Sequence, residues 1–258
     1  MFEELMSGEG LLRLWLVLFL VVGIAAGVVT GYFRARKIQP NGFSWRVFRF
    51  EIMMAITNTV ISSAVLGFAN EWLVANNWIS ISAEPVSWWV VAAEYALYFF
   101  LFDTWFYWLH RWMHTEPVYT WVHKIHHRSR APNLVSSFSV NPLESFINGG
   151  FVPLFLTVFS IHEQTLALII PTNIIMGLYV HSGYELLPRW WHKNWATKWF
   201  ITASFHDQHH KFVTTNYGGY TTLWDHLCGT VRPRYHHDLD ALYARKDAFR
   251  SKSVPLAD

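Results

Sequence analysis

Long apolar stretches separated by short polar ones dominate the pattern of the chain. Residues 14–33 form a run of twenty without a charged side chain, which is long enough to cross about 30 Å of hydrocarbon as a helix. The charged residues before this run are mainly acidic, the wrong sign for a signal peptide, so we expect a retained first helix. The apolar stretches at residues 52–74 and 86–109 predict a second and a third span.

Two shorter apolar segments follow, at residues 146–161 and 165–180. A segment of about sixteen residues is marginal for a full crossing, so two complete spans and a re-entrant helical hairpin both stay open. The basic cluster of Arg34, Arg36 and Lys37 places the end of the first span in the cytoplasm. Successive spans cross the membrane in opposite directions. The end of the third span, and the residues after the paired segments, are therefore expected on the cytoplasmic side as well.

Composition supports a membrane protein and excludes several other classes. Of the 258 residues, 52% are hydrophobic and 15% are charged, whereas charged residues make up about a quarter of a soluble domain. A net charge of +2 without a dense run of Lys and Arg excludes nucleic acid as a partner. Cys228 is the only cysteine, which excludes an internal disulfide and a thiolate-rich metal site.

Histidines cluster in three boxes placed just past the ends of predicted helices. The boxes read HRWMH from residue 110, HKIHH from residue 123 and HDQHH from residue 206. Positions i, i+3 and i+4 share a helix face, and an i, i+4 histidine pair is an established metal-binding arrangement. With the histidine that follows the 165–180 segment, the candidate ligands are His110, His114, His123, His126, His127, His181, His206, His209 and His210. Nine imidazoles exceed what one ion takes, so two metal ions are indicated.

Spacing alone does not select the metal, because imidazole suits iron, zinc, copper and nickel alike. A metal pair that opens on a bilayer indicates redox attack on a lipid C–H bond; hydrolysis stays open, although the HExxH pattern is absent. Asp103, Asp207 and Asp225 are candidate partners for the second ring nitrogen of the ligands. Asp103 lies two helical turns before His110, and Asp225 is equally interpretable as a turn residue.

These features predict an all-α fold, with multi-pass integral membrane helices and a cytoplasmic helical cap that carries a histidine-rich di-metal site. We expect N-terminal membrane helices at residues 1–85, a catalytic domain at 86–237 and a polar tail at 238–258. Within the catalytic domain, tryptophans recur at helical spacing beside cations over residues 189–200. This pattern predicts a helix that lies in the membrane interface.

The three boxes resemble the histidine motifs of the fatty acid hydroxylase/sterol desaturase superfamily of membrane di-iron enzymes. The flanking sequences agree: YVHSGYE resembles the extra histidine motif before the last box, and NYGGYTTLWDHLCGT resembles the segment that closes the catalytic domain. The resemblance covers residues 98–232. The closing segment is most similar to that of sterol C5-desaturases, and bacterial members of many specificities share it.

The resemblance implies two iron ions, with zinc as an artefactual substitute, and O2 as co-substrate in the hydroxylation or desaturation of a lipid. It also implies that the nine histidines listed above are the metal ligands. Sphingolipid fatty-acid 2-hydroxylases have a further histidine where this chain has Gly177. Water or Asn173 would complete the ligand set here, unless Asn173 makes an interhelical hydrogen bond instead.

Electrons are expected from a separate donor of the cytochrome b5, ferredoxin or reductase type, because the chain carries no haem, flavin or ferredoxin motif. The expected location is a bacterial inner membrane with a cytoplasmic active site, or the endoplasmic reticulum membrane in a eukaryote. The lipid stays open between sterol, isoprenoid and fatty acyl chain. Aldehyde-forming or ether-cleaving chemistry is one alternative. A metal transporter or sensor is another, disfavoured because transporters place their ligands within the spans.

Overall fold

The computed structural model describes residues 36–253, and it confirms a mainly helical fold. The predicted first span at residues 14–33 lies outside the described residues. The helices are α1 (Trp45–Ala75), α2 (Trp88–Met113), α3 (Pro142–Gly149), α4 (Phe151–Val158), α5 (Glu163–Val180), α6 (Ala203–Phe212), α7 (Leu223–Leu227) and α8 (Tyr235–Ser253). Short helical turns lie between α2 and α3, at Tyr119–His123, His126–Arg128 and Leu134–Ser137.

Two described helices are long and apolar enough to cross a membrane, judged by length and composition only: α1 and α5. They contain the predicted apolar stretches at residues 52–74 and 165–180. Helix α2 covers the predicted third span and has 26 residues, which corresponds to about 39 Å. It is not one of those two helices, and it carries Glu94 and Asp103 within its apolar sequence.

Glu94 joins α2 to the start of α5. Its carboxylate accepts hydrogen bonds from the Thr165 hydroxyl and from the backbone N–H of His162, and it lies 2.8 Å from Nδ1 of the His162 ring. A two-stranded parallel sheet lies at the same junction and pairs β1 (Ile81–Ser82) with β2 (Ile161–His162). Glu94 is therefore a structural hydrogen-bond acceptor, and His162 is its partner.

The segment at residues 146–161 does not form one helix. It is divided between α3 and α4, each of eight residues, so that each is about 12 Å long and shorter than half of a hydrocarbon core. The division falls at Gly150, where an added Cβ would lie 2.7 Å from the Phe146 carbonyl oxygen. Pro153 then occupies the first turn of α4, where its missing N–H costs little.

An aromatic cluster packs α2 against α4 and holds the segment before α7. Tyr98 and Phe155 are buried and meet edge to face, with ring centroids 5.2 Å apart. Phe102 lies 5.0 Å from the ring of Tyr220, which belongs to that segment. Such aromatic pairs contribute about 0.5–1.5 kcal/mol beyond the burial of their area. The cluster thereby fixes residues 217–222 over the end of α2, where the first histidine box begins.

A second cluster packs α8 against α6, which carries the last histidine box. Leu239 and Tyr243 of α8 are fully buried, as is Phe205 of α6. The Thr202 hydroxyl and the Tyr235 hydroxyl are 3.2 Å apart and connect the beginnings of the two helices. The boundary predicted at residue 237 therefore falls inside a helix that packs on the core.

The interfacial helix predicted over residues 189–200 is not formed, and this prediction is wrong. The segment consists of consecutive turns. Side chains compete with the backbone for its hydrogen bonds: Asn194 Oδ1 accepts from the N–H of Ala196, and the Thr197 hydroxyl donates to the Trp191 carbonyl. Trp190, Trp195 and Trp199 are exposed nonetheless, Trp195 to 80%.

Candidate metal centre

The nine predicted ligand histidines come together in the structure and divide into two groups. Within each group, one ring nitrogen of every histidine lies within 4.8 Å of the others. The first group is His110, His114, His123, His127 and His209. The second group is His126, His181, His206 and His210.

Helical geometry explains how each HxxHH box serves both groups. Its first and last histidines, four residues apart, join the same group, whereas the histidine three residues after the first joins the other. Successive residues of an α-helix are about 100° apart around the axis, so His209 and His210 of α6 diverge. His126 and His127 diverge as well, because they lie in a 3-10 turn with about 120° between successive residues. Each of the two boxes therefore contributes one histidine to the other box's group: His126 belongs to the second group, and His209 belongs to the first.

The ring nitrogens that converge are the Nε2 atoms. In the first group, Nε2 of His123 lies 3.0 Å from Nε2 of His110 and 3.0 Å from that of His127. In the second group, Nε2 of His206 lies 3.0 Å from that of His181 and 3.1 Å from that of His210. A metal ion bound at about 2.1 Å with right angles between its ligands separates adjacent nitrogens by about 3.0 Å. The two donor sets therefore fit metal ions.

Burial keeps these imidazoles in the neutral form that binds a metal. Burial lowers the pKa of His181 to about 4, and the pKa values of His206, His209 and His210 fall well below their usual range. Burial is the first cause in each case; for His206, His209 and His210 the neighbouring imidazoles add to it. A neutral imidazole with a proton on Nδ1 presents its lone pair at Nε2.

Backbone carbonyls place that proton on Nδ1 in three of the candidate ligands. Nδ1 of His110 donates to the Tyr217 carbonyl at 2.7 Å, and Nδ1 of His209 donates to the Thr215 carbonyl at 2.7 Å. Nδ1 of His181 donates to the carbonyl of Gly177, one turn earlier in α5, at 2.8 Å. Because a carbonyl oxygen can only accept, these bonds fix the tautomer and turn Nε2 toward the group.

The loop that delivers two of these carbonyls turns sharply after α6. Asn216 has a φ of 63°, in the left-handed region that asparagine adopts more readily than most residues. Its side-chain Nδ2 donates to the Phe205 carbonyl at 3.0 Å, and its Oδ1 accepts from the N–H of Arg232 at 2.7 Å. The turn is thus tied to α6 and to the segment before α8.

Asp225 and Asp103 hold this loop instead of a ligand histidine. Asp225 accepts hydrogen bonds from the backbone N–H of Tyr217 at 2.9 Å and of Gly218 at 2.7 Å. Asp103 accepts from the backbone N–H groups of Tyr220 and Thr221 at 3.1 and 2.9 Å, and from the Thr221 hydroxyl. Within residues 36–253, neither acid bonds to a ligand. The direct contact predicted between Asp103 and His110 is not formed, because the Asp103 carboxylate faces the backbone of the loop.

Asp207, the third predicted acid, also points away from the ligands. Its Oδ1 accepts from Gln39 Nε2 at 2.9 Å, and burial raises its pKa to about 7. It stands between His206 and His209 in α6, on the side that faces the chain before α1. It therefore contacts neither group directly.

The sequence matches the family described as "Fatty acid hydroxylase" over residues 95–230, more than half of its length. The chain belongs to the fatty acid hydroxylase family. This confirms the resemblance read from the histidine boxes. No solved structure matches.

Curated relatives of this chain are named as sterol oxidases or methylsterol monooxygenases. The C-4 methylsterol oxidase of Schizosaccharomyces pombe is 29% identical, over 86% of this chain and 75% of that protein. Methylsterol monooxygenase 1 of Gallus gallus is 27% identical, over 77% of this chain and 67% of that protein. The lathosterol oxidase of Mus musculus is 30% identical, over 61% of this chain and 48% of that protein. The prediction of an oxidoreductase is confirmed by these relatives and by the family.

One acid that approaches a histidine of the first group was not predicted from the sequence. Glu144 of α3 is buried, and its Oε1 lies 2.9 Å from Nδ1 of His123. Burial raises the pKa of this carboxyl well above its usual value. The available signal was an acidic residue at the start of the apolar segment at residues 146–161.

Asn173 is not positioned to act as the additional metal ligand that would compensate for glycine at position 177. Its Nδ2 donates to the Tyr98 hydroxyl at 2.7 Å, and its Oδ1 accepts from the Tyr220 hydroxyl. Both of its polar atoms are engaged, so the interhelical hydrogen bond is the alternative that the structure supports. At Gly177 an added Cβ would lie 3.1 Å from Ser137 Oγ, which leaves little room for a tenth imidazole.

A cavity of about 360 Å³ reaches both groups of histidines. It is lined by His110 and His123 of the first group and by His126, His181 and His206 of the second. Helices α1 to α5 contribute to its walls. The cavity is of the size that ligand sites have in general, and it gives a small molecule access to the space between the two groups.

Proposed function

We propose that this chain is a membrane di-iron oxidoreductase that uses O2 and electrons from a separate protein to hydroxylate or desaturate a lipid. The observation that carries the proposal is the convergence of nine neutral imidazoles into one group of five and one of four at the end of a largely apolar cavity. Membership of the fatty acid hydroxylase family supports it independently.

The first and the second group of histidines would each hold one iron ion. Bound iron would supply the activation of O2 that cleavage of an unactivated C–H bond requires. In hydroxylation, the substrate, O2, two electrons and two protons yield an alcohol and one water. In desaturation, the same reactants yield an alkene and two waters. The two electrons would come from a partner protein, because the sequence given contains no haem, flavin or ferredoxin motif.

The protein's own contribution is to bind, orient and exclude water. Phe102, Phe106 and Val152 line the cavity with apolar surface, which favours a lipid over water. The Tyr217 and Thr215 carbonyls hold the orientation of His110 and His209. Because these donors are fixed before the substrate arrives, little reorganisation is needed during the reaction.

We propose a multi-pass membrane protein whose histidine groups lie on the cytoplasmic side. Apolar side chains of α1 are exposed along its length, among them Ile56 at 57% and Phe68 at 72%, which supports contact with acyl chains. The substrate would then enter the cavity from the bilayer. The relatives named above come from fungi and animals, and they lend no support to a bacterial inner membrane in particular.

The test is to express the chain with candidate electron donors and compare total lipids by mass spectrometry. The proposal predicts a lipid that gains one oxygen or loses two hydrogens, only with O2 and with a donor. The matched variants are His206→Ala, which removes a ligand, and His237→Ala, which removes an exposed histidine outside both groups. Product that persists in His206→Ala, or an aldehyde or cleaved ether as the first product, would contradict the proposal.

A further inference from the structure

His114 is the candidate ligand that the protein covers least. The other eight candidate ligands are buried, whereas His114 is only half-buried. Its Nε2 nevertheless belongs to the first group and lies 3.1 Å from Nε2 of His209. Electron transfer between proteins slows steeply with distance, so an external electron donor has to come close to a ligand. Among the candidate ligands, His114 offers the surface at which this is possible.

Two tyrosine rings flank the imidazole of His114. The ring of Tyr119 is stacked on it, with ring centroids 5.4 Å apart and an interplanar angle of 30°. The ring of Tyr217 lies 5.1 Å away from the same imidazole. Tyr119 is itself only half-buried, so part of its side chain reaches the surface. A partner that touches Tyr119 would be separated from His114 by a single aromatic ring.

Cationic side chains surround these two tyrosines. Arg111 interacts electrostatically with the Tyr217 hydroxyl, and Arg130 does so with the Tyr119 hydroxyl. Lys124 is exposed, and its backbone N–H donates to the Tyr119 carbonyl at 2.8 Å. Three cations from separate parts of the chain therefore lie around the exposed edge of the first group.

Lys211 of α6 extends this surface. Gln39 Nε2 donates to the Arg130 carbonyl and to Asp207 Oδ1, both at 2.9 Å. Lys211 is exposed and interacts electrostatically with Asp207, which places it on the Arg130 side of the first group. We name these cations the cationic rim: Arg111, Lys124, Arg130 and Lys211.

The cationic rim concentrates positive charge. Glu116 is the exposed acid that faces Tyr119 beside the rim. Four cations and this acid leave an excess of three positive charges, whereas the whole chain has a net charge of +2. Complementary charges increase the rate of association and set the orientation of a partner. The rim therefore fits a partner that presents acidic side chains.

The substrate cavity reaches the histidines from a different side. Among its lining residues from the first group are His110 and His123, but not His114 or His209. A lipid in the cavity and a protein over Tyr119 would therefore not compete for space. This arrangement suits an electron donor, which has to bind while the substrate is in place.

We propose that the cationic rim and Tyr119 form the docking surface of the electron donor. The donor would be a redox protein with acidic side chains around its cofactor, seated so that the cofactor lies nearest the first group. In each encounter the donor loses one electron and the metal centre gains it, so two encounters supply the two electrons that one turnover consumes. This inference rests on the proposed function, since it specifies the partner of that same site. Anionic lipid headgroups match the charge of the rim too, but they gain nothing from being close to His114.

The experiment measures binding rather than turnover. Purified, metal-loaded protein in phosphatidylcholine nanodiscs is titrated with two acidic probes, the soluble haem domain of cytochrome b5 and a [2Fe–2S] ferredoxin, and with the basic protein cytochrome c. At least one acidic probe should bind, and at least tenfold more tightly at about 20 mM than at about 200 mM ionic strength, because salt screens exposed charges. Cytochrome c should show no binding.

Charge reversal locates the surface. A triple variant with Lys124→Glu, Arg130→Glu and Lys211→Glu should weaken binding of the acidic probe by more than about tenfold, since it replaces attraction by repulsion. Lys124→Glu alone should weaken it by about threefold. All three side chains are exposed, so the metal content should stay that of the unmodified protein, which shows that the variants have folded. If the triple variant does not fold, the single variant decides the matter.

Lys198→Glu is the matched control for Lys124→Glu. Lys198 is also exposed, and its Nζ lies 4.8 Å from the centroid of the neighbouring Trp199 ring. The adjacent Phe200 packs near Phe99 of α2, eleven residues before His110 and therefore about 16 Å along the helix from it. The control makes the same change of charge away from the rim, and it should alter the affinity by less than about twofold.

Three results would overturn the inference: no binding of either acidic probe, equally tight binding of cytochrome c, or unchanged affinity of the acidic probe for the charge-reversal variants. In the last case the rim faces another charge, such as anionic headgroups. Because no turnover is required, the outcome is separable from the proposed function. A chain that binds the acidic probe through the rim and yields no oxidised lipid would retain the docking surface and refute the oxidoreductase. An oxidase whose donor ignores the rim would do the opposite.

Discussion

The two groups of histidines differ in what holds them in place. The second group draws three of its four members from the end of α5 and from α6, and all four are buried. The first group has five members, His114 among them only half-buried, and depends on the loop after α6 for the carbonyls that hold His110 and His209. The second group is thus supported mainly by regular helices, and the first by a loop that needs acids to hold its shape.

Two of the three predicted acids, Asp225 and Asp103, therefore support the site indirectly, through the backbone of this loop. Asp225 binds the N–H groups of Tyr217 and Gly218, and the Tyr217 carbonyl in turn binds His110. Asp103 fixes the next part of the same loop through Tyr220 and Thr221. Both acids act on the first group, and Glu144 contacts it as well. Substitution of these acids should therefore weaken metal binding at the first group and leave the second group unchanged.

The largest effect is expected from a substitution of His126, which belongs to the same group as two histidines of the last box. His126→Ala removes one of four nitrogens from the second group, so this group should lose its iron while the first retains most of its own. We expect product formation to fall by more than about 100-fold, beyond the loss typical of residues that support a ligand. Metal analysis and lipid product analysis of the same preparation check this; a variant with full iron content and full activity would remove His126 from the site.

Asp225→Ala should have the next largest effect. It leaves the buried N–H groups of Tyr217 and Gly218 unsatisfied, which should cost about 2–4 kcal/mol of stability. The loss of loop geometry should weaken iron binding at the first group by about 10- to 100-fold and leave the second group unchanged. Iron titration of the metal-free protein, with thermal unfolding in parallel, measures both; equal weakening at the two groups would contradict the comparison.

Asp103→Asn should have the smallest effect of the three. The amide retains one oxygen to accept from the backbone N–H groups of Tyr220 and Thr221, and these residues lie further along the loop than Tyr217. Iron affinity at the first group should therefore fall by less than about tenfold. The same titration measures it. A decrease larger than that of Asp225→Ala would mean that Asp103 acts on His110 by another route.

The box spacing predicted that nine histidines come together, which the structure shows, but not their division into two groups. One shared face was predicted for His123, His126 and His127, whereas His126 joins the other group, as His209 does in the α-helical last box. The carbonyl of Tyr217 reaches His110 across 107 positions of sequence. Contacts of this kind depend on tertiary packing, and no local pattern in the sequence encodes them.

Other features were visible in the sequence in part. The two glycines and the proline at residues 149–153 mark the break between α3 and α4. Asp225 is neither of the two predicted alternatives: it lies in α7, and its carboxylate accepts hydrogen bonds from the backbone of the preceding loop. The tryptophan spacing at residues 189–200 indicated a helix that side-chain hydrogen bonds of Asn194 and Thr197 replace with turns. Local periodicity failed there because polar side chains competed for the backbone.

The central claim is that one chain holds two metal ions through separable groups of five and four histidines. The most direct measurement is the total iron and zinc per chain, by mass spectrometry of the purified protein, for the unmodified chain, His126→Ala and His237→Ala. The account predicts two ions per chain in the unmodified protein and in His237→Ala, and one in His126→Ala. A single ion per chain in the unmodified protein, or two retained in His126→Ala, would contradict it.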